Sequence, residues 1–166
     1  MSWMKHTCIV GLPRTGKTTF AKNLFFELPE NHIAIFVNSQ WEDYFQGIES
    51  EYKYPFPQLK NKIVFNIYDF GDLFKLLKDI FEAQKQSVEL QPITIFIDEA
   101  HKFFPRYMNI QAPENQIVND IFTLGLKWNI RLVIITQKPQ MLCTDLYTLC
   151  ERMIVFKLHQ KDIEYF

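Results

Sequence analysis

Short apolar runs punctuate the chain: HTCIVG (6–11), IAIFVN (33–38), KIVFNIY (62–68), ITIFIDE (93–99), IRLVIITQ (130–137) and RMIVFKL (152–158). Most are continuously hydrophobic rather than alternating, the pattern of strands covered on both faces. Between them the spacing becomes helical. Phe70, Leu73, Phe74, Leu77, Ile80 and Phe81 recur every three or four positions behind Asp69, a natural N-cap. Ile117, Ile121, Phe122, Leu124 and Leu126 point to another helix, and KTTFAKNLFFEL, starting at Lys17, to a further one. Strand–helix alternation predicts an α/β fold, a mostly parallel central sheet with helices on both faces. Two connections are long and irregular, residues 39–61 and 102–115. Loops of that length tend to carry function or conceal short elements.

Composition narrows the picture. A length of 166 residues with 48% hydrophobic content fits one domain over 1–166 with a proper core. The 16 phenylalanines read as bulky core filler. Cys8, Cys143 and Cys150 form no CxxC pair, which argues against a disulfide framework or zinc knuckle and favours a reducing compartment. Net charge is −1, so any contact with nucleic acid must be local or shared among subunits. The start, MSWMKHTCIVG, lacks the apolar run of a signal peptide, and no stretch is long enough to span a bilayer. The chain reads as soluble and intracellular, without membrane insertion.

The candidate chemistry sits at the ends of the apolar runs. GLPRTGKTTF (11–20) follows the first run and opens a helical one, the strand–turn–helix setting a P-loop requires. Its glycines let backbone N–H groups converge on phosphate oxygens at the positive end of the helix, so Gly11, Pro13, Arg14, Thr15, Gly16, Lys17, Thr18 and Thr19 are the expected ATP-binding residues. Lys17 would reach the outer phosphates and the Thr18 hydroxyl would bind Mg2+. Asp98 ends the run ITIFIDE, and carboxyl ends of parallel strands are where ligands bind. It is the expected second Mg2+ ligand, largely through water. Glu99 follows, placed to orient an attacking water, which favours hydrolysis over simple phosphate transfer. Gln137 ends IRLVIITQ on the same edge, where an amide can touch the γ-phosphate or the water.

Together GLPRTGKT, IFIDEAHKFFP and LVIITQKPQ resemble, in that order over residues 7 to about 158, the HerA/FtsK family of P-loop ATPases. The compact length is similar to that of the genome-packaging ATPases of membrane-containing viruses. The resemblance implies a sheet of order 5-1-4-3-2, ATP hydrolysis, a hexameric ring threading double-stranded DNA, and a capsid or portal partner, in the host cytoplasm or the virion. It also implies that His101 orients Glu99. Where family members usually read Gly-Arg-Lys, this chain has Gly125-Leu126-Lys127. A ring ATPase needs a cation on the transferring phosphoryl group, often from a neighbour, and the candidates are Arg106, Arg131 and Arg152. Arg131 starts its strand and Gln137 ends it, roughly 20 Å apart, so Arg131 can serve only a neighbouring subunit's nucleotide. Lys102, Arg106, Lys127 and Lys138 are candidate DNA contacts, and the loop around Trp41, Tyr44 and Phe45 a candidate junction. Two alternatives stay open on the same fold, a small-molecule or nucleoside kinase and a slowly hydrolysing assembly switch.

Overall fold

The computed structural model describes residues 5–38, 49–50 and 61–163. Its strands are β1 (Thr7–Val10), β2 (Ile33–Asn38), β3 (Glu49–Ser50), β4 (Lys62–Asn66), β5 (Ile93–Ile97), β6 (Ile130–Thr136) and β7 (Arg152–Val155). They form one sheet of order β3-β4-β2-β5-β6-β1-β7. Every pairing is parallel. The stretch β7-β1-β6-β5-β2 reproduces the expected 5-1-4-3-2, and β4 and β3 extend it at one edge. Parallel strands bury both faces, which is why β5 and β6 are buried at every position. The edge strand β7 is half covered instead, with Met153 and Val155 exposed.

Five helices, α1 (Lys17–Glu27), α2 (Phe70–Gln86), α3 (Gln116–Leu124), α4 (Thr144–Leu149) and α5 (Gln160–Ile163), complete the described elements, with short 3-10 turns between them. On one face α1 lays Ala21, Leu24 and Phe25 over Ile9, Phe36, Phe96 and Ile135. Phe25 meets Phe36 and Phe96 edge-on, each with ring centroids 5.8 Å away, while Phe36 and Phe96 stack. This aromatic block is the floor beneath the α1 helix, and it accounts for part of the phenylalanine content.

The other face carries α2 and α3. Asp69 caps α2 by accepting the Asp72 N–H at 3.0 Å, and Leu73, Leu76, Leu77, Ile80 and Phe81 form its buried stripe. Gln84, buried at the last turn, donates to the carbonyls of Gln91 and Trp128. That ties α2 to the entries of β5 and β6. Helix α3 buries Ile117, Val118, Ile121 and Phe122. Leu124 and Leu126 depart from the expected stripe, being 45% and 37% exposed, because the helix ends at Leu124 and the chain tightens into a 3-10 turn over Gly125–Trp128.

Of the irregular connections, residues 39–61 contribute β3, paired to β4, while Trp41, Tyr44 and Phe45 lie outside the described residues. The second is pinned. Pro105 bridges Leu142, and Cys143 donates its N–H to the Phe104 carbonyl at 2.9 Å. Among the described residues no helix is long and apolar enough to cross a membrane.

Candidate active site

The strand register decides what can meet. Strand β6 lies between β1 and β5, with Val10 opposite Thr136 and Ile97 opposite Ile134. The residues following all three strands therefore share one rim, each about 5 Å from its neighbouring strand. Gln137 leaves β6 between the segments that follow β1 and β5.

The loop after β1 is packed from below by the chain leaving β7. Leu12 donates its N–H to the Lys157 carbonyl at 2.8 Å, and a Cβ on Gly11 would fall 2.6 Å from the Phe156 Cβ. Only a glycine lets the loop sit so close. Beyond it Arg14 (φ 60°) and Gly16 (φ 92°) are left-handed, the backbone type that aims successive N–H groups into one concavity. Pro13, Arg14, Gly16 and Thr19 are exposed around that concavity. Thr15 Oγ1 donates to the Leu12 carbonyl at 2.8 Å, and Lys17 Nζ donates to the same oxygen at 2.6 Å. Lys17 is 6% exposed. Burial lowers its pKa, and Glu99 and Asp98 act against that shift.

Thr18 Oγ1 donates to Asp98 Oδ2 at 3.3 Å, joining helix α1 to the end of β5 across 80 residues of sequence. The other Asp98 oxygen accepts the Glu99 N–H at 2.9 Å. Burial raises the Asp98 pKa, opposed by the Glu99 N–H, the Thr18 hydroxyl, Lys17 and Lys22. Such a carboxylate has lost water and favours a cation. Among the described residues no group of three or more His, Cys, Asp or Glu side chains could hold a metal. One hydroxyl and one carboxylate on a common point fit Mg2+, which keeps water and phosphate oxygens for the rest of its octahedron.

Glu99 takes a left-handed backbone, φ 51° and ψ 41°, costing about 1 kcal/mol for a residue with a Cβ. That geometry starts the 3-10 turn Ala100–Lys102, closed by the Lys102 N–H on the Glu99 carbonyl at 2.8 Å. Burial and then the Asp98 charge raise the Glu99 pKa, while Lys102, a hydrogen bond from the Gln137 side chain, and Lys17 hold it down. The turn swings His101 back so that its Nδ1 lies 3.3 Å from Glu99 Oε2 and 2.9 Å from Thr136 Oγ1. Burial, with Lys138 and Lys102 nearby, lowers the His101 pKa to about 4, so the imidazole is neutral at pH 7. A cleft of about 530 Å3 adjoins the rim, lined by Leu12, Pro13, Gln137, Lys138, Met141 and His159 among others.

The sequence model of the ATPase family associated with various cellular activities (AAA) matches residues 7–158. The chain belongs to this AAA family. It is an ATPase domain of the P-loop type, as the motifs led us to expect. No curated protein matches it in sequence. Its backbone is similar to that of the DNA-packaging ATPase from Sulfolobus turreted icosahedral virus, with TM-score 0.79, 18% identity, and coverage of 99% of this chain and 82% of that one. The genome-packaging NTPase of Sulfolobus turreted icosahedral virus 2 in complex with ATP-gammaS superposes at TM-score 0.77 with 16% identity, covering 98% and 79%. The cytoplasmic domain of EssC gives 0.60 and 14%, covering 98% of this chain and 35% of that one. At these identities the likeness establishes the fold.

Within the AAA domain the structure unites Lys17, Thr18, Asp98, Glu99 and Gln137, and leaves Arg131 apart. Arg131 lies at the opposite end of β6, 7% exposed, its Nη2 donating to Asn129 Oδ1 at 2.8 Å. The strand start is covered there, and Asn129 holds the guanidinium in place. Thr136 and Phe156 escaped the sequence reading. A hydroxyl ending the aliphatic run IRLVIIT was a signal for Thr136; Phe156 had none, because its effect depends on how β7 crosses the loop.

Proposed function

We propose that this AAA domain, a single ATPase domain over 1–166, is the motor of a viral genome-packaging machine that translocates double-stranded DNA. The observation that carries the hydrolytic part is the double pairing at one rim, Thr18 with Asp98 and Glu99 with Gln137. It brings the first, second and third motifs onto the volume where a terminal phosphate would lie. The packaging part is supported by the similarity to structures of DNA-packaging ATPases.

In this reading the left-handed loop around Arg14 and Gly16 cradles the β- and γ-phosphates, and Lys17 leaves the Leu12 carbonyl for their oxygens. Thr18 and Asp98 would hold Mg2+, which would neutralise charge on the phosphate oxygens. Glu99 accepts a hydrogen bond from the attacking water and fixes its line toward the γ-phosphorus, and Gln137 bridges Glu99 and the γ-phosphate. Because Gln137 continues into the segment pinned to the 102–115 connection, loss of that phosphate is passed on to exposed Lys102, Arg106 and Lys138. These residues and Lys127 would touch DNA, with weak contacts adding around a hexameric ring. The cation in trans comes from Arg131 or Arg152; both start strands on the far rim, and Arg152, at the sheet edge, is the less buried. A capsid or portal partner, and a place in the host cytoplasm or virion, belong to the same reading.

The test is ATP turnover by the purified chain with and without double-stranded DNA, beside Glu99→Gln. We expect stimulation by DNA and a loss of roughly a hundredfold or more in the variant. Turnover indifferent to DNA would remove the translocase, and phosphate transfer to an added acceptor without release to water would make it a kinase.

A further inference from the structure

The cleft of about 530 Å3 beside the P-loop is lined by residues from three segments. Gln137 leaves β6, Leu12 and Pro13 follow β1, and Asp162 lies on α5, beyond β7. Because β1 lies between β6 and β7, the cleft runs from Gln137, assigned above to the γ-phosphate, across the start of the P-loop to α5. It is therefore the cavity adjoining any phosphate chain held around Arg14 and Gly16, and its volume is that of an ordinary small-ligand site. Leu12, Pro13 and the 52% exposed Met141 offer apolar surface to a flat ring. Polar groups come from Gln140 and Asp162. Gln140 sits on the turn Pro139–Met141, which is fixed where the Pro139 carbonyl accepts the Leu142 N–H at 3.1 Å and the Tyr147 hydroxyl at 2.5 Å. Its Nε2 donates to Asp162 Oδ1 at 2.7 Å. A carboxylate only accepts, so the amide must turn its NH2 toward Asp162, and Oε1 is left as an acceptor.

We propose that Gln140, oriented by Asp162, selects adenine among the purines bound in this cleft: its Oε1 accepts the N6 amino group and rejects a base that carries an oxygen there. Adenine presents an N–H donor at that position, whereas guanine and hypoxanthine present O6, an acceptor. Acceptor against acceptor leaves both groups unpaired once the base has displaced water from the cleft. Asp162 does not touch the base in this arrangement. It prevents the amide flip that would turn NH2 outward and welcome O6. The inference names the base for the ATP site read above, and it rests on the phosphates lying in the P-loop.

The experiment is calorimetric titration of the chain with ADP, IDP and GDP, for wild type, Gln140→Ala and Asp162→Ala. ADP and IDP share phosphates and ribose and differ at the base edge in question, and binding is read without hydrolysis. Both substitutions are at the surface, and thermal melting verifies that each variant is folded. Wild type should bind ADP about ten- to a hundredfold more tightly than IDP or GDP. In Gln140→Ala the preference should fall to within about threefold, mostly through weaker ADP binding. Asp162→Ala should lose it too, by a different route: the freed amide flips and IDP binds more tightly than it does to wild type. Equal affinities for ADP and IDP in wild type, or a preference that survives Gln140→Ala, would overturn the inference. So would tighter binding of GDP than of ADP, because Asp162 would then be reading the N1–H and N2 amino groups of guanine itself. If none of the three diphosphates binds, the P-loop reading falls and this one with it. If ADP is preferred as expected but ATP is not split to free phosphate, the hydrolytic reading fails while the base selection stands.

Discussion

Two histidines on the rim opposite the nucleotide make stability depend on pH. His6 is 1% exposed, its Nδ1 accepts the Leu132 N–H at 3.0 Å, and its ring lies 5.2 Å from that of Phe122. His32 is 8% exposed, with Nε2 2.7 Å from Thr94 Oγ1. Burial lowers both pKa values from 6.5 to about 4; for His6 the Glu151 carboxylate opposes the shift, and for each the Arg131 charge adds to it. Between pH 6.5 and 4 the unfolded chain binds protons that the native state refuses, so stability falls as pH falls through that window and levels off below it. The full shift corresponds to about 3 kcal/mol per histidine, and the portion between pH 7 and pH 5 to about 2 kcal/mol each. A loss of roughly 4 kcal/mol is a large part of the 5–15 kcal/mol of an ordinary domain. The raised pKa values of Asp98 and Glu99 act in the opposite sense, so the histidine contribution must be isolated by substitution.

The assay is urea unfolding followed by circular dichroism at pH 7, 6 and 5, comparing wild type with His6→Asn/His32→Gln. Asparagine can accept the Leu132 N–H and glutamine can reach the Thr94 hydroxyl, and neither titrates. The double variant should lose about 4 kcal/mol less than wild type between pH 7 and pH 5. Equal losses in the two proteins would refute the reasoning, because the protons would then be binding elsewhere.

Three further outcomes follow from the packing. Gly11→Ala places a Cβ 2.6 Å from the Phe156 Cβ, which cannot swing away. It should lower stability by about 1–3 kcal/mol and weaken ATP binding, read from melting curves with and without nucleotide. Phe25→Ala empties the centre of the aromatic floor, where Phe25 is fully buried, and should cost about 3–5 kcal/mol in urea unfolding. Glu99→Gln should raise stability at pH 7.5 by on the order of 1 kcal/mol while abolishing hydrolysis, since it removes a buried charge whose folded pKa is raised and whose cost is felt above that pKa. A lower melting temperature than wild type would contradict it.

The buried strands were legible because parallel strands covered on both faces must be apolar throughout, and β2 matches its run residue for residue. The P-loop and the Asp98–Glu99 pair were legible because phosphate binding needs particular residues at fixed spacing. Strand order was accessible only by resemblance, since periodicity carries no information on which strands pair. What was not legible depended on coverage by distant segments. In the sequence Arg131 is only a residue near a strand start; in the fold it is buried, close enough to His6 and His32 for its charge to lower their pKa values. Strand β3 has only two residues, in a polar aromatic stretch with no strand period. Thr136 meets the site only through the fold, where a left-handed Glu99 turns His101 back to within 2.9 Å of its hydroxyl.

The two rims of the sheet divide the physical work. At the nucleotide rim, burial raises the pKa of Asp98 and Glu99 and lowers that of Lys17, and Glu99 takes a left-handed backbone; each feature opposes folding. They persist because the strands beneath are covered on both faces and because α2, tied by Gln84 to the entries of β5 and β6, fixes the sheet from the other end. A desolvated carboxylate pair is poorly stabilised by its own protein and is therefore receptive to a cation and a water. Strain at a rim held by rigid parallel strands also has few ways to relax other than ligand binding. The opposite rim hides its imidazoles uncharged at neutral pH and holds Arg131 by Asn129. It follows that substitutions neutralising the nucleotide rim should trade turnover for stability, whereas acid should weaken the fold through the far rim.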